Sequence, residues 1–108
     1  MPKISILVAV YNSAAYLPQC LDSLLGQTLH DIEVLCVDDA STDNSLAILR
    51  QYAERDRRVK VFALDENHGI AFARNVALSN ASGEFICFVD SDDWLGPNAL
   101  EAVCKTFT

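Results

Sequence analysis

The chain has 108 residues, 51% of them hydrophobic, which is enough for one small domain with its own core and too many for a disordered segment. Its 15 acidic and 8 basic residues leave a net charge of −7, which argues against duplex nucleic acid or an anionic membrane surface as a direct partner, since both need a basic face. On the same ground, a phosphorylated ligand would need a metal ion to make the meeting favourable.

Lys3 is followed by an apolar run of strand length over 4–10, closed by Tyr11-Asn12-Ser13, so it reads as a first strand and not as a signal peptide. Leu17, Leu21, Leu24 and Leu25 then fall at helical spacing, with Pro18 suited only to a first turn and Gly26 near the end. A second apolar strand over 32–37 is closed by Asp38-Asp39. The segment 40–45 is rich in capping residues and leads into a second helix with the stripe Leu46, Leu49, Ala53. Arg50, Arg55, Arg57 and Arg58 read as its solvated face and exit. A third strand over 59–64, a turn at 65–69 and a third helix over 70–78 follow, the helix carrying Phe72/Val76 and Ala73/Ala77 pairs.

Ser79 to Gly83 stops that helix. A fourth strand, Phe85-Ile86-Cys87-Phe88-Val89, is a continuous apolar run and reads as buried on both faces. It runs into Asp90-Ser91-Asp92-Asp93-Trp94. Gly96-Pro97-Asn98 opens a fourth helix with the stripe Leu100, Val103, Cys104, Phe107. No stretch is long enough to span a bilayer. The cysteines Cys20, Cys36, Cys87 and Cys104 are far apart with no C-x-x-C pair, which suggests reduced thiols of a cytosolic protein and not a zinc site.

Four strand–helix alternations predict an α/β fold: a mostly parallel sheet between two helix layers, with right-handed crossovers. Ligands of such sheets bind beyond the carboxyl ends of the strands, where strand order reverses. Three strand ends bring polar chemistry to that rim: Tyr11-Asn12, Asp38-Asp39 and Asp90 to Asp93. Carboxylates this close repel one another unless a cation lies between them, and Mg²⁺ or Mn²⁺ suits oxygen ligands with positions left open for phosphates. A solvated acidic turn is the alternative. G-x-G-x-x-G and the P-loop are both absent, so a glycine loop does not hold a pyrophosphate. Asp39 can accept a ring N–H such as that of uracil, or can cap a helix or turn.

Five segments in register resemble the N-terminal half of a family 2 (GT-A type) inverting glycosyltransferase. They are Val8-Ala9-Val10-Tyr11-Asn12, Leu24-Leu25-Gly26-Gln27-Thr28, Val37-Asp38-Asp39-Ala40-Ser41-Thr42-Asp43, Asn67-His68-Gly69 through Ala73-Arg74-Asn75, and Phe88-Val89-Asp90-Ser91-Asp92-Asp93. Ala40 and Ala77 stand where the family usually has glycine. The resemblance implies a Rossmann-like nucleotide-binding half and a nucleoside diphosphate sugar as donor, by family habit a UDP-sugar. Ala9 and Tyr11 would border the nucleobase and Asp39 would accept its N–H. Arg74 would lie near the phosphates or buttress the acids. Asp90 and Asp92 would form the D-x-D that meets Mn²⁺ or Mg²⁺, Asp92 most directly, with Asp93 behind them.

Inversion needs a general base on the acceptor side. The resemblance places it beyond Thr108, because Glu101 sits on the fourth helix and His30 and His68 read as turn residues. Residues 1–108 are thus expected to be a single donor-binding domain that does not transfer sugar alone. Apolar surface meant for the missing half would favour a homodimer. The full protein would act at the cytoplasmic face of a membrane on a glycan or lipid-linked acceptor, as in polysaccharide synthesis. Two other readings are a receiver-like signalling domain, which the first strand's Tyr11-Asn12 end does not fit, and an interaction module whose carboxylates are surface charge.

Overall fold

The structure, a computed structural model, describes residues 2–102. Strand β1 (Ile4–Val10), helix α1 (Leu17–Leu25), β2 (Ile32–Asp38), α2 (Ser45–Arg55), β3 (Val59–Ala63), α3 (Ile70–Ser79) and β4 (Phe85–Phe88) follow in the predicted order. A helical turn at 99–102 stands where the fourth helix is predicted, with Leu100 buried in it. Val103, Cys104 and Phe107 lie outside the described residues.

The sheet is parallel throughout, in the order β3-β2-β1-β4. The chain steps from β1 through β2 to β3, then crosses back to place β4 on the other side of β1. Strand order therefore reverses between β1 and β4, and the crevice at their carboxyl ends is the place such sheets use for ligands. Alternate side chains point to opposite faces. Ile4, Ile6, Val8 and Val10 pack with Val34 and Cys36 against Leu17, Leu21 and Leu24 of α1 and Leu49 of α2. Leu7, Leu35 and Val37 pack on the other face against Ala73 and Ala77 of α3. Both faces of β1 and β2 are covered, which is why these strands read as unbroken apolar runs.

Local chemistry sets the helix ends. Pro18 sits in the first turn of α1, where no intrahelical N–H is needed, and the Gly26 N–H closes the helix on the Asp22 carbonyl at 2.9 Å. Beyond it, the fully buried Gln27 fastens the segment that descends from the acidic turn. Its Nε2 donates to the Gly96 carbonyl (2.7 Å) and its Oε1 accepts from the Leu100 N–H (3.1 Å).

Two expectations need correction. The fourth strand is not buried on both faces: β4 is the outer neighbour of β1, and α3 lies over β1 and β2 instead. Ile86 and Phe88, on that side, stay 40% and 50% exposed. Arg58 is not solvated surface. Its guanidinium is half-buried, forks onto the Asp56 carboxylate and reaches the carbonyls of Leu25 and His30, tying the end of α1 to the start of β3. Phe72 faces away from the core, exposed and stacked on His68 with ring centroids 4.3 Å apart.

Candidate active site

The three polar strand ends meet. The Asp39 N–H donates to the Val10 carbonyl at 2.8 Å, and the Val89 N–H to the Leu7 carbonyl at 3.0 Å, so the loops after β1, β2 and β4 leave one rim side by side. Asn12 stitches the first two loops together. With φ of 50°, its backbone turns back so that its side-chain oxygen accepts the N–H of Thr42 (2.8 Å) and of Asp43 (3.3 Å). Its own N–H donates to Ser41 Oγ. Asn tolerates this left-handed conformation better than most residues. Ala40 also has positive φ, 56°, which gives a physical reason for the family's usual glycine at this position.

A cavity of about 420 Å³ opens over this rim, lined by Ala9, Tyr11, Asp39, Asn67, Gly69, Ile70 and Ser91, among others. Ala9 contributes only a methyl group, leaving space beside the sheet, and Tyr11 is half exposed at the mouth. Asp39 is 3% exposed, and its carboxylate accepts the N–H of His68 (2.8 Å) on one oxygen and of Gly69 (2.9 Å) on the other. It therefore ties down the turn that leads into α3, a role its sequence context leaves open. Each oxygen keeps a lone pair for a further donor. Gly69 has φ of 94°, a conformation that side chains other than glycine's rarely adopt.

A second cavity of about 520 Å³ shares Ala9, Tyr11, Ile70 and Ser91 with the first and reaches Arg74, Asp90 and Asp92. Asp90 to Asp93 form a turn closed by the Asp93 N–H on the Asp90 carbonyl at 2.9 Å. Asp90, Asp92 and Asp93 are all exposed, and one carboxylate oxygen from each lies within 4.8 Å of the others. Arg74 meets this cluster from α3, with Nη2 3.1 Å from Asp90 Oδ1 and the guanidinium over the Phe88 ring. Below the turn, burial and then the charges of Asp93, Asp92 and Asp90 push the Cys20 thiol up to about 12. It stays protonated and donates to the Asp90 carbonyl at 3.7 Å, so it is no competing thiolate ligand. Three hard carboxylate oxygens facing solvent fit Mg²⁺ or Mn²⁺, which accept oxygen ligands and keep open positions.

The structure thus brings together Ala9, Tyr11, Asp39, Arg74, Asp90 and Asp92, every candidate named from the sequence. Glu101 accepts a hydrogen bond from Thr28, past the far end of α1 from the acidic turn. Sequence reasoning gave no role to the Asn12 side chain or to Ser13, which join this loop to partners 29–78 residues away. The signal for Asn12 was its position as the first polar side chain after Tyr11 at a strand end. Among the described residues no helix is long and apolar enough to cross a membrane.

Comparison with known proteins agrees with this geometry. Residues 5–108 match Glycosyl transferase family 2. EpsH of Bacillus subtilis, a glycosyltransferase by name, is 46% identical over 97% of this chain and 30% of its own length. The poly(ribitol-phosphate) beta-glucosyltransferase of Bacillus spizizenii is 50% identical over 91% of this chain and 16% of its own. The chain therefore spans less than a third of either relative. S. aureus TarS 1–349, crystallised with UDP, superposes with a TM-score of 0.88 at 40% identity over 95% of this chain and 31% of that one. A mannosyltransferase of Pyrobaculum calidifontis in complex with GDP-Man and Mn²⁺ gives 0.81 at 30% identity, over 94% and 30%. With motif, rim geometry and relatives in agreement over nearly its whole length, the chain belongs to glycosyl transferase family 2.

Proposed function

We propose that residues 1–108 are the donor-binding domain of a metal-dependent glycosyltransferase, which transfers a sugar from a nucleoside diphosphate sugar, with UDP favoured, to a glycan or lipid-linked acceptor with inversion. The observation that carries this is the continuity of two cavities. One is walled by Ala9, Tyr11 and Asp39, and the other reaches Arg74, Asp90 and Asp92. A flat base in the first would put its diphosphate in the second. Asp39 accepts the ring N–H with the lone pairs its two loop amides leave free. Arg74 balances the acidic turn and is within reach of phosphate oxygens. Asp90 and Asp92 would hold Mn²⁺ or Mg²⁺, whose charge offsets the diphosphate as it leaves. The relatives' names and their UDP, UDP-GlcNAc and GDP-Man complexes support this class of donor.

The base that takes the acceptor proton belongs, in this reading, to the length of the relatives that this chain does not span. The same holds for acceptor choice and for work at the cytoplasmic face of a membrane. A homodimer through the exposed Ile86 and Phe88 edge is part of the proposal, and sedimentation as a clean monomer would remove it. Calorimetric titration of UDP with Mn²⁺ tests the site itself. Binding is expected for the unaltered chain, weakened at least about 100-fold in Asp92→Ala, since even outer partners of metal sites cost 10–100-fold. Asp39→Ala is expected to discriminate poorly between UDP and other nucleotides. Absence of heat with any nucleotide would leave an interaction module as the better description.

A further inference from the structure

Ser13 and Ser91 come from opposite ends of the sequence, yet their hydroxyl oxygens lie 2.6 Å apart. Ser13 Oγ is also 3.1 Å from the Tyr11 carbonyl, and the Ser13 N–H donates to Ser45 Oγ at 2.9 Å. Ser13 and Ser45 are both buried, so this anchor does not shift freely with solvent. A hydroxyl has one proton to give, and a carbonyl only accepts. The arrangement that satisfies every group runs one way: Ser91 donates to Ser13, and Ser13 donates to the Tyr11 carbonyl.

From this we propose that Ser13 is a positioning residue for the metal-binding carboxylates. Its neighbours define what it does. Val89 and Asp90 are held at the strand end by the Leu7 carbonyl, Cys20 and Arg74. Among the described residues, the next hydrogen bond from outside the turn falls at Leu95, whose N–H meets Ser23 Oγ. Between those points, among the described residues, Ser13 alone hydrogen-bonds to the turn from outside, through Ser91. Ser91 is held inward between Asp90 and Asp92, and both carboxylates stay on the solvent side. The chain of hydroxyls ends on the backbone of Tyr11, which borders the first cavity. It therefore joins the base end of the site to its metal end. Chains of hydrogen bonds polarise and stiffen one another, so the coupling acts on the whole turn.

This inference rests on the donor-site reading above, and the test separates the two. Mn²⁺ is titrated into the 108-residue chain saturated with UDP, and UDP is titrated separately without metal, for the unaltered protein and for Ser13→Ala, Ser13→Thr, Ser91→Ala and the Ser13→Ala/Ser91→Ala double variant. Each alanine variant is expected to weaken Mn²⁺ binding about fivefold, the worth of one hydrogen bond. The double variant is expected to be no weaker than either single one, because both remove the same link. Ser13→Thr, which keeps the hydroxyl, is expected to retain the affinity, and each alanine variant is expected to lose more in Mn²⁺ binding than in metal-free UDP binding. If the unaltered chain binds UDP and Mn²⁺ but the alanine variants bind Mn²⁺ equally well, or lose UDP and metal in the same proportion, the positioning role is wrong and the donor site stands. If the unaltered chain binds no Mn²⁺ with UDP, both fall.

Discussion

The two ends of the sheet each gather carboxylates, and they treat them in opposite ways. At the amino ends of the strands, Glu33 points into the protein with a side chain 4% exposed. It accepts hydrogen bonds from Ser5 Oγ (2.5 Å), the Ser82 N–H (2.6 Å), Ser82 Oγ (3.0 Å) and Lys60 Nζ (2.9 Å). Burial alone would push its carboxyl up, but these donors outweigh burial and hold it down at about 2. At the carboxyl ends, Asp90, Asp92 and Asp93 crowd together in solvent with Arg74 as their cation. Asp38 and Asp39 stand between the extremes. Asp39 is half filled by loop amides, and one buried oxygen of Asp38 has no hydrogen-bond partner among the described residues. An acid whose acceptor sites the protein fills holds the fold together. Like charges left crowded and largely unfilled keep their acceptor sites open, as the proposed metal site requires.

Breaking the amino end should cost the most stability. Glu33→Ala strands the Ser82 amide, Ser5 and Lys60, and is expected to cost about 3 kcal/mol, read from chemical denaturation. Acid should reach the same group more gently. The unfolded carboxyl, with its ordinary value of 4.5, takes a proton before the folded one at about 2, so stability falls as pH drops through that window. The decline should be shallower in Glu33→Gln, and an identical acid profile would show that other groups dominate it. Gly83→Ala comes next. An added Cβ would stand 2.6 Å from the Ser5 nitrogen and 2.7 Å from Ser5 Oγ, so β4 must shift where it meets β1, at a cost of about 2 kcal/mol. Unchanged stability would mean that the strand start yields more easily than its packing suggests.

The contrast also explains what could be read from the sequence. Apolar runs in β1 and β2 and the acids that end them follow from local pattern, so the parallel sheet and its rim were legible. The position of β4 was not: Phe85 to Phe88 is apolar whether a helix covers it or a sheet edge leaves it bare. Glu33 is hidden inside the run Ile32-Glu33-Val34-Leu35, although a charged residue in a buried strand signals a paired one. Arg58 reads as surface because, apart from Asp56 two residues before it, its acceptors, the carbonyls of Leu25 and His30, lie well back in the chain. The same distance hid Asn12 and Ser13. Ala40 departs from the family's usual glycine, and only its φ gives that departure a cost.

That cost sets a smaller effect at the carboxyl end, and of opposite sign. A left-handed conformation is unfavourable for a residue with a Cβ by about 1–2 kcal/mol, and part of this is offset by glycine's greater freedom when unfolded. Ala40→Gly is therefore expected to raise stability by about 0.5 kcal/mol. A loss instead would mean that the Ala40 methyl makes a contact worth more than the strain.

The smallest change in stability should come from the residue on which the proposed metal binding depends most. Asp92 is exposed, lies in a turn closed by other residues and sits among like charges. Asp92→Asn keeps its size, removes one unit of repulsion and breaks no ion pair among the described residues, since Arg74 meets Asp90. Its melting temperature without metal should match or slightly exceed that of the unaltered chain. In Mn²⁺ and UDP the two should part: the unaltered chain gains stability as ligand fills the cluster, and Asp92→Asn gains far less. Glu33→Gln should show the reverse pattern, a lower starting point with the same ligand-driven rise. If Asp92→Asn instead unfolds early without metal, the acidic turn is a structural element like Glu33, and the distinction between the two ends of the sheet is lost.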